Sequence, residues 1–341
     1  MPAASGCPVV VWHITGRCNL FCRHCYAASS SSDVSEMPAG EAAEFLRALS
    51  VVRPPALILS GGEPLCHENF HCYLRQAAEL GLNVVISTNG SMIDERSASM
   101  ISGFASYAGI SLDGPEKLHD EFRGVSGAFK ASVRAINALV SSGCRTGLRV
   151  TLARPAAERL DETLEVLESL PVSRVCFYHF IPSGRGALDV SLMPEAVDER
   201  AALRRITEWV WSVGSRVYGK YFPEVLTVGD ASDSVAVYEY MTGRGGIGGD
   251  TLGLMSAASG RMCGAGILSV RWDGTVFPNQ FIWTEPLGNW RDLPDIAARV
   301  RRDMAPAAEC SSCVWKTRRI CASRMSGFGR CSYRLSGGIV S

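Results

Sequence analysis

Lysine is nearly missing from this chain: it occurs only at Lys117, Lys130, Lys220 and Lys316, so arginine supplies almost all of the positive charge. An arginine-dominated set suits bidentate contacts to carboxylates, although GC-rich codon usage accounts for the same bias. An excess of charge is missing too, because 34 basic residues face 34 acidic ones. That balance argues against nucleic acid or an acidic membrane surface as the main partner. No uninterrupted apolar run is long enough to span a bilayer, and no basic stretch followed by an apolar one stands at the start. These absences predict a cytoplasmic protein with no membrane and no nucleic-acid partner.

What is present is apolar bulk and sulfur. With 341 residues, 47% of them hydrophobic, the chain can bury a core for one large domain and a smaller one. Thirteen cysteines, an odd number gathered toward the two ends, fit reduced metal-binding thiols better than a secreted disulfide framework.

The densest group is Cys18, Cys22 and Cys25, spaced C-x3-C-x2-C directly after an apolar run. Three thiols so close in sequence meet only if the loop curls. A structural zinc takes four ligands, usually from two separated pairs. A cubane iron-sulfur cluster held by three thiolates leaves one iron open. The spacing therefore reads as an open cluster, and the competing reading is three unrelated core cysteines.

Strands are predicted at residues 9–12, 56–59, 84–87, 110–112, 148–152 and 175–181, each a buried apolar run. Helical spacing separates them, with Ala42, Phe45, Leu46 and Leu49 behind Pro38, and later Phe129, Val133, Ile136 and Val140. Six such units imply a parallel α/β sheet, either an incomplete barrel or an open doubly wound sheet. The polar motifs follow the strands, where parallel folds place their ligand sites. They are Gly61-Gly62-Glu63-Pro64, Asn89, Ser111 and Asp113. The glycines would let backbone approach a ligand closely, and Glu63 offers an acceptor for an ammonium group; the other reading is an ordinary strand-to-helix turn. Arg149 is a charge inside an apolar strand and needs a partner, either a ligand carboxylate or a neighbouring acidic side chain.

The cysteine spacing, with Tyr26 after it and Gly-Gly-Glu-Pro following the second strand, resembles the signature of the radical SAM superfamily. The resemblance implies a partial (β/α)6 barrel spanning residues 1–186. It implies a [4Fe-4S] cluster on Cys18, Cys22 and Cys25, whose free iron chelates S-adenosylmethionine. One electron then cleaves the sulfonium to a 5'-deoxyadenosyl radical, which abstracts hydrogen from the substrate. His24 would pack near the adenine, and Gly61, Gly62, Glu63 and Pro64 would bind the methionyl amine. Asn89, Ser111 and Asp113 would reach the ribose and methionyl groups, and Arg149 the SAM carboxylate. A low-potential donor such as flavodoxin or ferredoxin is the implied electron source.

Residues 187–262 read as a helical and irregular connection, with Leu203, Ile206, Trp209 and Val210 on one helix face. The glycine-rich stretch at 243–249 follows no clear strand and reads as a flexible connection or lid. From 263 onward come Cys263, a hairpin signal at Asp273-Gly274, and then Cys310, Cys313, Cys321 and Cys331. Spacing alone leaves zinc and a second iron-sulfur cluster tied. The arrangement is similar to the SPASM/Twitch extension of radical SAM enzymes, which implies an auxiliary cluster domain over 263–341. Asn279 replaces an expected cysteine, and the gap from Cys313 to Cys321 is long. One auxiliary [4Fe-4S] cluster on Cys310, Cys313, Cys321 and Cys331 is therefore expected, with Cys263 as the alternative ligand. The isolated Cys7, Cys66, Cys72, Cys144 and Cys176 read as small buried apolar residues.

Trp12-His13-Ile14-Thr15-Gly16-Arg17, Tyr178-His179-Phe180 and the Gly184-Arg185-Gly186 turn resemble the NirJ-like heme-biosynthesis branch, as do Phe277 to Trp283, Leu287 to Arg291 and the closing Cys331-Ser332-Tyr333. Related enzymes with a C-terminal extension often carry a Gly-Arg at this place, which implies a contact with cofactor or substrate. That likeness implies modification or removal of a propionate or acetate on a siroheme-derived tetrapyrrole. The arginines around the C-terminal cysteines, Arg299, Arg301, Arg302, Arg318, Arg319 and Arg324, would meet its carboxylates or else lie solvated at the surface. The alternatives are a SPASM/Twitch maturase acting on a precursor peptide, and a non-enzymatic iron-sulfur or zinc protein. No general acid or base stands out.

Overall fold

The structure, a computed structural model, describes residues 7–216 apart from 31 and 33, then 223–228, 233, 237 and 240, and 267–303. In chain order the elements are β1 (Val9–His13), α1 (Ala39–Val52), β2 (Leu57–Ser60), α2 (Phe70–Glu79), β3 (Val84–Thr88), α3 (Glu95–Phe104) and β4 (Tyr107–Ser111). Next come α4 (Glu116–Arg123), α5 (Ala128–Ser141), β5 (Thr146–Leu152), α6 (Arg154–Glu158), α7 (Leu160–Glu168), β6 (Arg174–His179), α8 (Ala196–Arg216) and β7 (Glu224–Val228). The described chain closes with β8 (Ile267–Val270), β9 (Thr275–Phe277), β10 (Gly288–Asn289) and α9 (Leu293–Asp303).

All these strands share one sheet, ordered β10-β9-β8-β1-β2-β3-β4-β5-β6-β7. From β1 to β7 every neighbour is parallel and follows chain order without reversal. A doubly wound sheet reverses its strand order midway to put helices on both faces. The absence of a reversal here selects the singly wound wall of a partial barrel, which periodicity had left open.

Side-chain alternation follows from that winding. Trp12, Leu59, Ile86, Ile110 and Val150 are buried under the helices, whereas Val85, Ser87, Arg149, Thr151 and Tyr178 on the opposite, inner face are only half-buried. The predicted face of α1 is seated as expected, with Ala42, Phe45, Leu46 and Leu49 buried. Trp12 packs edge-on against Phe45 at 5.0 Å, and Phe45 meets Trp290 at 5.8 Å, so the first strand, first helix and C-terminal segment share one aromatic stack.

α5 is rotated from its predicted face. Its buried residues are Ala128, Ser132, Ala135, Ile136 and Leu139, while Phe129, Val133 and Val140 are only partly buried. Small side chains at 132 and 135 allow the helix to sit close to the strand ends, where Ser132 Oγ donates to the Asn89 carbonyl at 3.0 Å. Close approach overrode side-chain size.

Two other features differ from expectation. The middle segment contains α8, with Leu203, Ile206 and Trp209 buried as predicted, but also β7, which adds a parallel strand to β6. Short and half-exposed, β7 offered little hydrophobic signal. The hairpin β8–β9 forms at Asp273-Gly274 with Gly274 at φ +85°, as predicted, but β8 also pairs in parallel with β1. Cys7, Cys144 and Cys176 are buried as expected; Cys66 is half-buried and Cys72 exposed, which corrects the reading of both. α2 turns residues 70, 73, 74 and 77 inward, leaving position 72 toward solvent. Among the described residues no helix is long and apolar enough to cross a membrane.

Replacing Phe45 by Ala is expected to destabilise the fold by about 3–5 kcal/mol, because the ring is fully buried between β1 and the C-terminal segment. Denaturant unfolding measures the loss.

Candidate active site at the strand ends

β1 delivers the chain into the cysteine loop, and main-chain bonds from three directions curl it. Cys18 N–H donates to the Ser30 carbonyl at 2.7 Å. Phe21 and Arg23 N–H donate to the carbonyls of Arg123 and Phe122 at 3.2 and 3.0 Å, taking up acceptors that the C-terminus of α4 leaves open. Arg185 then clasps the far side. Its N–H donates to the Cys25 carbonyl at 2.9 Å, its Nε to the Cys22 carbonyl at 2.8 Å and its Nη2 to the Ser29 carbonyl at 3.1 Å. The guanidinium also lies 3.8 Å over the Phe21 ring. In this structure the Gly184-Arg185 turn, expected to touch cofactor or substrate, grips the loop itself. A Cβ on Gly184 would collide with the Tyr26 and Cys25 carbonyls, which accounts for the glycine.

Cys18, Cys22 and Cys25 pack together around Leu20 as free thiols. Donors aim at the sulfurs: Leu20 N–H at 3.4 Å and Asn89 Nδ2 at 4.0 Å from Cys18 Sγ, and Arg123 Nη1 at 3.7 Å from Cys22 Sγ. Burial pushes the Cys18 thiol up to about 12 and raises Cys22, the latter opposed chiefly by Arg123. Among the described residues no three His, Cys, Asp or Glu side chains converge as ligands of one metal ion do. A cubane spreads its thiolates over separate iron corners.

Gly61 and Gly62 pack tightly against residues 15–17. Gly62 N–H donates to the Thr15 carbonyl and Glu63 N–H to the Arg17 carbonyl, both at 2.9 Å. A Cβ on Gly61, whose φ is +150°, would stand 2.5 Å from the Thr15 oxygen, and one on Gly62 would strike the Arg17 carbonyl. The Glu63 carboxylate is fully buried and accepts three bonds, from Thr88 Oγ1 (2.6 Å), Asn89 N–H (2.7 Å) and Leu65 N–H (3.2 Å). It thereby ties the end of β2 to that of β3. Burial still lifts its carboxyl to about 7, against the pull of those bonds. Pro64 opens a short 3-10 turn that Glu63 caps. Asn89 reaches Asn19 Oδ1 at 3.1 Å and accepts from Ser91, so it joins β3 to the cysteine loop.

Asp113 is wholly buried and its oxygens are taken within the chain: Oδ2 by Arg123 Nε and Nη2 at 2.8 and 2.5 Å, Oδ1 by Thr151 N–H at 3.0 Å. Burial opposes its charge, and Arg123 overcomes that to hold the carboxyl below its ordinary value. His119 Nδ1 accepts from the Asp113 N–H at 3.1 Å, and burial lowers its imidazole to about 4, so His119 is a neutral acceptor. His24 stacks on Phe122 with centroids 4.0 Å apart, and burial lowers its imidazole to about 3. Arg123, His119 and Phe122 had no flag in the sequence, because their roles depend on α4 folding back over the loop.

Arg149 sits on the inner face opposite Ser111 in the β4–β5 register. Its Nη1 donates to Ser87 Oγ at 2.6 Å and its guanidinium lies 5.7 Å from the Tyr178 ring centroid. No carboxylate lies within ion-pair distance of it among the described residues; the acidic neighbour considered from sequence is not there. Beside this face, His13, Tyr26, Phe281 and Trp283 form an aromatic wall, with His13 at 5.3 Å from Trp283 and Tyr26 at 5.3 Å from Phe281. His13 is fully buried and, among the described residues, neither ring nitrogen has a partner; burial lowers it to about 3. Asn279, where a cysteine was expected, accepts from Phe281 and Ile282 N–H and shapes the turn that sets this wall. His179 is held between Asp233 at 2.9 Å and Glu199 at 3.5 Å.

The model of the radical SAM superfamily matches residues 12–170. Fe-coproporphyrin III synthase of Methanosarcina barkeri is 32% identical over 326 residues, covering 90% of this chain and 81% of that protein. The chain belongs to the radical SAM superfamily. Pre-heme d1 synthase of Dinoroseobacter shibae is 29% identical over 325 residues, covering 90% of this chain and 79% of the relative. In fold, the radical SAM chain resembles native anSMEcpe with bound AdoMet, with a TM-score of 0.66 at 17% identity over 90% of this chain and 87% of the other.

A radical SAM enzyme related to heme-biosynthesis synthases uses S-adenosylmethionine and a [4Fe-4S] cluster, and the thiol loop suits that cluster. Its three cysteines pack in one cluster, the sulfurs of Cys18 and Cys22 receive N–H donors, and the protons that burial holds on those two would leave on metal binding. Cys263, Cys310, Cys313, Cys321 and Cys331 lie outside the described residues, as do the glycine-rich stretch, Arg318, Arg319, Arg324 and Cys331-Ser332-Tyr333.

Because burial raises the Glu63 carboxyl to about 7, the folded chain keeps a proton that the unfolded chain has lost. Glu63 therefore contributes a stability slope that falls as pH rises from the ordinary carboxylate value to about 7 and then levels off, set against the rising contribution of His13, His24 and His119, which burial keeps neutral in the folded chain. Glu63→Gln should remove that slope. Denaturant unfolding at about pH 5 and about pH 8 tests this, and an unchanged slope in the variant would refute it.

Proposed function

We propose that Cys18, Cys22 and Cys25 hold the SAM-binding cluster and that the enzyme modifies or removes a propionate or acetate side chain of a siroheme-derived tetrapyrrole. The observation that carries the cofactor part is Arg149, a cation on the polar inner face that faces no carboxylate among the described residues. A half-buried guanidinium without an anion still loses part of its hydration uncompensated, and the carboxylate of S-adenosylmethionine relieves that cost. The tetrapyrrole part is supported by the two relatives that span nine-tenths of the chain, whose names specify Fe-coproporphyrin III and pre-heme d1. A precursor-peptide substrate has less behind it, since neither of these relatives is a peptide maturase.

Bound together, the reduced cluster and S-adenosylmethionine supply a 5'-deoxyadenosyl radical able to abstract hydrogen. The chain binds, orients and shields. With the Glu63 carboxylate occupied by Thr88 and main-chain donors, the main chain of residues 61–64 is what meets the methionyl amine. Asn89 follows β3 and Ser111 ends β4, beside the strand that carries Arg149, which receives the carboxylate. His24, neutral and stacked on Phe122, offers a flat apolar surface to the adenine. Asp113 serves by orienting Arg123 rather than by touching the ribose. The aromatic wall of His13, Tyr26, Phe281 and Trp283 gives a planar substrate a surface and keeps water from the radical. Electrons arrive from a low-potential flavodoxin- or ferredoxin-type donor.

Anaerobically reconstituted protein with a strong reductant is expected to release 5'-deoxyadenosine, and a Cys22→Ala control is not. Arg149→Gln should weaken binding of S-adenosylmethionine by about 1.5–3 kcal/mol, read by equilibrium dialysis. A siroheme-type tetrapyrrole should bind and undergo a mass change on turnover; no binding would remove the substrate assignment and leave the SAM chemistry standing.

We further propose one auxiliary [4Fe-4S] cluster on Cys310, Cys313, Cys321 and Cys331, with Cys263 as the alternative ligand, accepting the electron left on the substrate. A Cys310→Ala, Cys313→Ala double variant is then expected to lose about half its iron while still cleaving S-adenosylmethionine. Undiminished iron in that variant would exclude the assignment.

A further inference from the structure

We propose that Arg123 is a positioning residue that sets the reduction potential of the cluster through an N–H···S bond to Cys22, and that Asp113 limits how strongly it does so. The inference rests on Cys22 being a cluster ligand. Arg123 is only 7% exposed and Asp113 not at all, so little solvent screens either charge. The guanidinium is divided between two acceptors: Nε and Nη2 bond Asp113 Oδ2 at 2.8 and 2.5 Å, and Nη1 points at Cys22 Sγ from 3.7 Å.

The other groups around the pair leave the guanidinium in place. Asp113 Oδ1 is engaged by the Thr151 N–H, and His119 accepts from the Asp113 N–H and so carries no proton on that nitrogen. Among the described residues Arg123 is the cation that bonds the Cys22 sulfur, with Asp113 behind it, whereas the Arg185 guanidinium bonds the Cys22 carbonyl.

The shape of the loop depends on other atoms of the same residue. Phe21 and Arg23 N–H are held by the carbonyls of Arg123 and Phe122, and Arg185 clasps the opposite side. Main-chain atoms of residues 122 and 123 and the Arg185 side chain thus hold the loop, and the contact of the Arg123 side chain with the Cys22 sulfur has an electrostatic consequence. Adding an electron to the cluster adds negative charge next to the sulfur. A cation that donates to that sulfur stabilises the reduced form more than the oxidised one and raises the potential. The Asp113 carboxylate, farther from the sulfur, offsets part of that field.

The two charges make opposite predictions. In an EPR-monitored redox titration, Arg123→Gln should lower the ratio of reduced to oxidised cluster about tenfold at a fixed poise, about 59 mV for a one-electron couple. Asp113→Asn should move the midpoint the other way, and Arg123→Lys should fall between Arg123→Gln and the native protein. A residue that only filled space would not give shifts of opposite sign. Pulsed EPR of the native protein labelled with 15N-arginine should show a nitrogen coupling to the reduced cluster, and this holds even if a variant fails to load iron. An unshifted midpoint in iron-replete Arg123→Gln, shifts of the same sign in both variants, or no arginine coupling in the native protein would each overturn the proposal. Cys22→Ala separates the two layers: retention of the SAM-binding cluster would refute the ligand assignment, whereas its loss together with an unshifted Arg123→Gln would refute the tuning alone.

Discussion

The backbone contact between residues 15–17 and 61–63 is the constraint on which the rest of the site depends. Two main-chain bonds join these segments, and they approach so closely that neither Gly61 nor Gly62 can carry a side chain. The contact sets the cysteine loop on top of β1 and β2. Glu63, extending from the same junction, fastens β3 through Thr88 and Asn89. Three strand ends and a thiol loop become one rigid floor, as a site that must orient a radical requires.

Above that floor two arginines, Arg123 buried and Arg149 half-buried, are treated differently. Arg123 is neutralised by Asp113 and also approaches Cys22, whereas among the described residues Arg149 bonds the Ser87 hydroxyl, lies against a tyrosine face and meets no carboxylate. Removing one member of a buried ion pair strands the other charge at a cost of about 3–5 kcal/mol. The first arrangement is therefore a permanent part of the fold. The second is open to completion by an anion, the role proposed for the carboxylate of S-adenosylmethionine.

Much of the barrel was legible beforehand because buried parallel strands write themselves as apolar runs and their helices as a 3.6-residue stripe. α1 came out as its pattern required. α5 did not, because Ser132 and Ala135 sit nearest the sheet by virtue of being small, and a rule that follows large apolar residues points to Phe129 and Val133 instead. β7 was missed for a related reason: a half-exposed edge strand of five residues has too little alternation to stand out. The site motifs were legible as positions but not as partners. Glu63 and Asp113 were read as facing a ligand, yet each uses its oxygens on groups that come from β3, α4 and β5.

The sequence by itself determined the chemistry available: three closely spaced thiols, a glycine pair after the second strand and a lone arginine in the fifth are local facts that no folding alters. It also determined that the strands would be parallel, since helical stretches separate them. Only the tertiary structure decided which side chains are committed and which are open. Whether Arg149 has an acidic neighbour, whether Arg185 faces a ligand or the loop, and whether any residue touches Cys22 all depend on segments up to about a hundred and sixty residues apart. Pairing of buried charges and sulfur donors is a property of distance in space, and burial makes each such distance energetically decisive.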